Sequence, residues 1–433
     1  MFRPTRYAVI SAVAALSVLV GMPATASAMT TTLWVGPSAS GNGKSCTHPG
    51  YGSIQTAITA AATGGTVKVC PGTYREQLSI DKAVTLTTSG TPAATVQLPK
   101  PATSSTTACD LARNAVAGGE DQDLVSICTA ESVTIKGLAF EAKWPEGTCN
   151  DHLYGILVAG GATLNATKVT VNGAGAFPIN GCQGGIGIQV GFEHGGQVGH
   201  AILSHDTVTN YQKNGMTIDG TGSTATITGT TVTGAGPADQ GQNGIQVSRG
   251  AQATISKATI SDNECDHSLI PRCGPEGEQA TGVMFYGAAA GSSVSKSKVS
   301  KNDMGVYYVS EGGTEPASPE VAITEDKLIE NRYESVQLEQ GKATVNNDKI
   351  TGPGLDGIYL NQYEGQPYAV DASAKEDTIK GMTQAAVYVW SSDLETDIPG
   401  TFLIEKSAIS KKNEAEVINL NPGKFTVTSK ENT

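Results

Sequence analysis

Apolar and polar positions alternate with period two along most of the chain, and one short pattern keeps returning: a small residue, an apolar one, any residue, an apolar one. It reads Gly155-Ile156-Leu157-Val158, Gly187-Ile188-Gln189-Val190, Gly215-Met216-Thr217-Ile218 and Gly244-Ile245-Gln246-Val247. It continues through Gly282-Val283-Met284-Phe285, Gly305-Val306-Tyr307-Tyr308, Ser335-Val336-Gln337-Leu338, Gly357-Ile358-Tyr359-Leu360 and Ala386-Val387-Tyr388-Val389 to Glu416-Val417-Ile418-Asn419. The first apolar residue of these copies moves from 156 to 417, a mean step of (417 − 156)/9 = 29 residues. Period-two alternation, β-branched side chains and frequent Gly, Asn and Asp predict strands rather than helices. One such unit cannot bury its own apolar face, whereas stacked units close a continuous core. The predicted fold class is all-β: a parallel β-helix solenoid of roughly 11–12 rungs, forming a single domain over residues 29–433.

A second register follows each loop, as in Thr254-Ile255-Ser256-Lys257-Ala258-Thr259-Ile260, where two apolar residues stand five apart with a turn residue between them. The turn positions are Thr167, Asp206, Thr230, Ala258, Ser297, Asp326, Asp348, Asp377 and Ser407. Stacked in a coil, they form an internal ladder whose small polar side chains bond local backbone groups. Asp326, Asp348 and Asp377 are therefore read as structural.

Near the N-terminus, Tyr51-Gly52-Ser53-Ile54-Gln55-Thr56-Ala57-Ile58 leads into Gly64-Gly65-Thr66-Val67-Lys68-Val69-Cys70-Pro71-Gly72-Thr73-Tyr74. This predicts a short amphipathic helix, capped by Ser53 and stopped by Gly64, before the first strands. That opening and the Gly-Ile-x-Val repeats resemble the right-handed parallel β-helix (pectate-lyase-like) superfamily, in its exported bacterial branch, over roughly residues 51–425. The resemblance implies a right-handed coil with an N-terminal cap over about 51–64 and a substrate groove on an outward sheet face. It leaves the activity open, because the fold hosts lyases, hydrolases, esterases, epimerases and non-catalytic adhesins.

Neighbouring side chains of a strand point to opposite sides. With Ile156, Ile188, Met216 and their counterparts inward, one outward column contains Gln246, Tyr307, Gln337, Tyr359 and Tyr388, preceded by Leu157, Gln189 and Thr217. The next contains Asp219, Ser248, Tyr286, Glu339, Asn361 and Trp390. The chain has only 13 Tyr, 7 Phe and 3 Trp, yet five of these aromatics gather in the two columns. Flat rings to stack on and amides to bond hydroxyls are what a sugar chain needs. The candidate substrate-binding residues are Gln246, Tyr286, Tyr307, Gln337, Tyr359, Asn361, Tyr388 and Trp390.

Two carboxylate settings are candidates for chemistry. Glu334 and Asp356 each stand two residues before the inward residue of adjacent rungs, which predicts stacking about 5 Å apart, with Glu339 on the same sheet. A pair at that spacing suits retaining glycoside hydrolysis. The other setting is Asp219 with Arg249, a base and a cation as β-elimination of a uronan requires; its structural alternative is a plain ion pair. The leading expectation is an exported carbohydrate-active enzyme, a glycoside hydrolase before a polysaccharide lyase. The alternative from another class is a non-catalytic glycan-binding or cell-surface β-helix protein.

Composition narrows this further. The net charge is −12 with a pI near 5.0, and no Lys/Arg-rich run is present, which argues against nucleic acid or an anionic membrane as partner. Arg3 and Arg6, an apolar run Ala8 to Val20 and Ala26-Ser27-Ala28 read as a secretory leader over 1–28, so the expected location is extracellular. No apolar run of membrane-spanning length follows. Eight Cys in an exported chain point to disulfides; the sequence-local pairing is Cys46–Cys70, Cys109–Cys128, Cys149–Cys182 and Cys265–Cys273, one of many pairings that counting permits. Nothing in the sequence calls for a cofactor. Asp262, Glu264, Asp266 and Glu276 are a place to ask about calcium, but they match no calcium-loop spacing. The sugar, its linkage and the oligomeric state are left open.

Overall fold

Each repeat folds as three short strands separated by tight corners, in a computed structural model that describes residues 32–39, 43–117, 121–144, 152–176, 178–179, 181–193, 197–269, 271–275, 277–310, 321–362, 369–391, 399–420 and 422–433. The expected leader, Cys149, His194 and Glu276 lie outside the described residues. The Gly-Ile-x-Val strands stack in parallel into a front sheet, from Leu78–Ile80 through Asn214–Asp219 and Asp356–Gln362 to Ala415–Asn419. A second face runs from Thr32–Val35 to Phe425–Lys430. A third, 12-stranded, runs from Thr73–Arg75 to Ala408–Ile409. The strand Glu334–Asn346 turns from the front sheet into the second face and pairs in both. This is the predicted parallel β-helix, with 12 rungs counted along the third face.

The register places Ile188, Met216, Ile245, Val283, Val306, Val336, Ile358 and Val387 in one fully buried column. The small residue before each has a steric cause. A Cβ on Gly155, Gly187, Gly215, Gly244 or Gly282 would lie 2.5–2.6 Å from a core methyl group of the third face, such as Val171 or Ile260. The corner between two faces is filled by the neighbour's side chain, so only a hydrogen fits. Gly244→Ala is expected to destabilise by about 1–3 kcal/mol through overpacking, read as a lower midpoint of denaturation; an unchanged midpoint would mean the strand shifts freely.

The internal ladder exists, one residue type at a time. Asp326, Asp348 and Asp377 are buried, and each accepts the backbone N–H of the preceding rung: Ser297 to Asp326 at 2.6 Å, Asp326 to Asp348 at 2.6 Å, Asp348 to Asp377 at 2.7 Å. Ser407, Ser297 and Asp206 do the same for Asp377, Ala258 and Val169. Thr167 is not a member: it pairs with Ser204, and Val169 holds the ladder position. The residue before each step takes a left-handed conformation, for example Lys257 at φ 53°, Glu325 at 59° and Asn347 at 60°. These corners rarely use glycine, so the usual turn signal is missing from the sequence.

The N-terminal cap is the helix Ile54–Ala60, and the Ser53 hydroxyl accepts from Thr56 N–H as predicted. Glu76 adds a carboxylate there, accepting from Ser53 Oγ and from the N–H groups of Ile54 and Gln55, where the helix dipole favours an anion. Gly64 does not stop the helix. It ends at Ala60 with an extended cap at Ala61, and Gly64, at φ 78°, turns the chain into Gly65–Val69. A second helix, Ala108–Ala117, was hidden in the sequence because it is inserted between rungs. Arg113 on it pairs with buried Asp121 and lies 5.6 Å from the Tyr154 ring and 4.9 Å from Phe192. Cys46–Cys70, Cys109–Cys128 and Cys265–Cys273 are disulfides, and Cys182 is disulfide-bonded. No helix of the described residues is long and apolar enough to cross a membrane.

Candidate functional site

The outward face of the front sheet is closed on its earlier rungs. At the N-terminal end Tyr154, Leu157 and Ala159 pack with Cys109 and Phe192 beside the inserted helix. In the middle, Gln189, Thr217, Asp219 and Ser248 are buried although the alternation points them outward. They sit in an internal amide and hydroxyl network. Gln246 belongs to it, accepting from Asn214 and Asn243 and donating to Ser248. Gln246 and Tyr286, expected to bind substrate, stand on these earlier rungs, away from the open clefts described next.

Asp219 and Arg249 form an ion pair at 3.0 Å, and Arg249 also holds Glu193 at 3.0 Å. Ser248 Oγ and Glu193 N–H donate to the two Asp219 oxygens at 2.8 and 2.9 Å. Both oxygens of the expected base are thus engaged by the protein, as in the structural alternative raised for this pair.

The face is open on the later rungs, where two adjoining clefts of about 160 and 240 Å³ share Tyr359 and Pro275. The smaller is lined by Glu334, Asp356, Tyr359, Tyr388 and Trp390. The larger is lined by Tyr307, Gln337, Glu339, Tyr359 and Asn361. Six of the eight expected substrate-binding residues and three of the five expected catalytic ones therefore meet in one groove. Glu334 and Asp356 are directly paired in register on adjacent rungs and both are 4 % exposed. Asp356 Oδ1 accepts from Ala385 N–H at 3.0 Å. Burial nevertheless prevails over that bond and raises the Asp356 carboxyl to about 7. The Tyr359 and Tyr388 rings lie 5.5 Å apart, tilted by 50°, and continue the column from rung to rung.

Glu339 departs from the predicted column. The register shifts after Tyr308, so Val309 pairs with Gln340 and Glu339 is the extra residue of a bulge. Such a bulge re-aims a side chain. Here Glu339 lines the larger cleft and accepts a hydrogen bond from Tyr307 Oη.

The outer wall comes from the longest inter-repeat segment, between Val247 and Val283. Pro275, Gly277 and Gln279 line the clefts from it, and the Cys265–Cys273 disulfide closes its loop. Asp303 ties both ends of this loop, accepting from Cys265 N–H at 2.8 Å and Ala280 N–H at 2.9 Å. Arg332 pairs with Asp303 at 2.6 Å and donates to Cys265 O at 2.7 Å. Burial raises the Asp303 carboxyl to about 6 against those bonds. Asp303 acts across rungs and has no local signal in the sequence, whereas the wall segment is marked by its length, the longest interval between repeats, 38 residues from Ile245 to Val283, and by its Cys265 and Cys273. Among the described residues no group of three or more His, Cys, Asp or Glu converges to hold a metal. Asp266, from the cluster asked about calcium, instead accepts from the hydroxyl and N–H of Ser268.

A sequence search of curated proteins gives no match. Among solved structures, the catalytic domain of a GH87 alpha-1,3-glucanase in complex with nigerose is similar with a TM-score of 0.59 at 12% identity, covering 96% of this chain and 71% of that one. The same kind of domain with tetrasaccharides gives 0.54 at 10% identity, with 96% and 71% covered. The periplasmic alginate epimerase AlgG gives 0.45 at 10% identity, with 85% and 84% covered. At 10–12% identity the likeness to the glucanase domain is one of fold. Residues 187–374 match the family model described as right handed beta helix region, and the repeats, the 12 rungs counted among the described residues and the capping helix show the same right-handed parallel β-helix fold.

Proposed function

We propose that the protein is an exported enzyme that cleaves a polysaccharide by glycoside hydrolysis in the open end of the front-sheet groove. The observation that carries this is the in-register pair Glu334 and Asp356, lining one cleft with Tyr359, Tyr388 and Trp390. Asp356 keeps its proton to about pH 7, so it gives a proton to the glycosidic oxygen as the leaving sugar departs. Glu334, one rung away at about 4.8 Å, attacks the anomeric carbon from the opposite side. The glycosyl–Glu334 ester then yields to a water that Asp356, now a carboxylate, deprotonates. A carboxyl separation close to this rung spacing suits retention of configuration rather than inversion, which needs room for a water between the carboxyls. The alpha-1,3-glucanase, a polysaccharide-acting protein on the same fold, is in keeping with this class of substrate.

The test is incubation with a polysaccharide panel, following reducing ends together with the ultraviolet absorbance of unsaturated sugars. Reducing ends alone are expected. Unsaturated products would overturn hydrolysis in favour of elimination, and binding without any cleavage would make the protein a glycan-binding β-helix. Tyr359→Ala and Trp390→Ala are each expected to weaken glycan binding about tenfold, since each removes a stacking face. Titration calorimetry with a bound oligosaccharide checks this, and full affinity in both variants would move the binding surface elsewhere.

A further inference from the structure

The larger cleft, of about 240 Å³, is lined by three side chains whose oxygens are hydrogen-bond acceptors, Glu339, Asn361 and Gln279. Asn361 is 1 % exposed, and its Oδ1 is buried with no hydrogen-bond partner among the described residues. Gln279 Oε1, from the loop wall, is buried in the same condition, while its Nε2 is used on Pro275 O at 2.7 Å. Both residues line this cleft, together with the Glu339 carboxylate. No Lys or Arg lines either cleft among the described residues.

Hydrolysis by Glu334 and Asp356 does not use these acceptors. A buried acceptor left unmatched is costly, and two amide oxygens beside a carboxylate match a ligand that donates several hydrogen bonds and carries positive charge. An alkylammonium does both, with three N–H donors and no acceptor. A uronate would bring a second negative charge and acceptors only. We infer that this cleft is a subsite for a hexosamine residue bearing a free amine, recognised by Glu339, Asn361 and Gln279, so that the glycan bound along the groove is a partly or fully de-N-acetylated one. This rests on the groove being the glycan site, and it adds the substrate class.

The test is a set of matched oligosaccharides, α- and β-linked glucosamine and galactosamine oligomers with their N-acetyl counterparts, titrated against the wild-type protein and Glu339→Gln. At least one free-amine member is expected to bind about tenfold more tightly than its acetylated partner. That preference should shrink as salt is added and disappear in Glu339→Gln, while Tyr359→Ala weakens both members equally. If no free-amine member is preferred, or if Glu339→Gln keeps the preference, the inference fails, whether or not neutral glycans bind. The two ideas separate cleanly. Preferred amine binding without cleavage sinks hydrolysis and keeps the subsite; cleavage of neutral glycans without amine preference does the reverse.

Discussion

Asp356→Asn is expected to slow glycan cleavage by about 10²–10⁴-fold, the usual contribution of a positioned general acid, with little change in binding. The amide oxygen of Asn can still accept from Ala385 N–H, the bond Asp356 makes at 3.0 Å, so the strand pairing and the cleft should persist. What is lost is the proton. Burial holds the Asp356 carboxyl at about 7, above its ordinary range, so the protonated, proton-donating form survives to neutral pH and is lost above it. The wild-type rate should therefore fall as pH rises through about 7, and the residual rate of Asp356→Asn should lack that limb. Glu334→Gln should be at least as damaging, because the nucleophile has no substitute on the neighbouring rungs: Met304 precedes it in the column and Ala385 follows Asp356. Initial rates across pH, beside oligosaccharide affinities, check both variants. A rate within a few-fold of wild type in either would remove the pair from the chemistry, whatever the groove binds.

How far the sequence carried this depends on the range of the interaction concerned. Core columns were legible because a strand repeats its inward residues every second position, and the Gly-Ile-x-Val signature reports a contact to the next face that any side chain would block. The pairing of Glu334 with Asp356 was legible for the same reason, since equal offsets from Val336 and Ile358 become equal heights in the stack. The open extent of the groove was not. Alternation says that Gln189, Thr217 and Gln246 point away from the core, but not that Gln189 and Thr217 are buried all the same and that Thr217 and Gln246 bond to Asn214, Asn243 and Ser248 on the same sheet. Glu339 shows the other limit: one bulge residue shifts the register by one, and no local feature of Leu338-Glu339-Gln340 announces it. Asp303 is a third case. It is fully buried beneath a loop whose ends at Cys265 and Ala280 are remote from it in the chain, so only the folded arrangement reveals why a carboxylate is there.

The largest stability effect is expected from the Asp ladder and from its middle rung. Asp326, Asp348 and Asp377 stack in the interior and accept hydrogen bonds from backbone N–H groups, with Glu325 and Glu376 adding to the negative charge around Asp326 and Asp377. Burial raises Asp326 and Asp377 to about 7 and Asp348 to about 9; Asp348 is highest because it also faces both of the other carboxyls. In the unfolded chain these groups titrate near 3.9. Between that value and the folded ones the native state holds protons that the unfolded state has released, so its stability falls as pH rises. The ladder's contribution is complete below about pH 4 and is lost progressively through pH 7 to 9, at up to about 1.4 kcal/mol per pH unit for each group in its window. The melting temperature is therefore expected to drop by about 5 °C or more from pH 5 to pH 9, opposite in sign to ordinary acid denaturation. Asp348→Asn removes the group with the widest window while keeping an oxygen to accept from Asp326 N–H, so it should flatten this dependence and raise the melting temperature at pH 9 above wild type. Asp348→Ala separates charge from hydrogen bonding: it leaves Asp326 N–H unmatched and should destabilise at pH 5, where Asn does not. Thermal melts of the three proteins at pH 5, 7 and 9 decide the matter. A wild-type melting temperature that does not fall toward pH 9, or an Asp348→Asn curve parallel to wild type, would mean that the ladder is fully ionised in the fold and held by its N–H bonds alone.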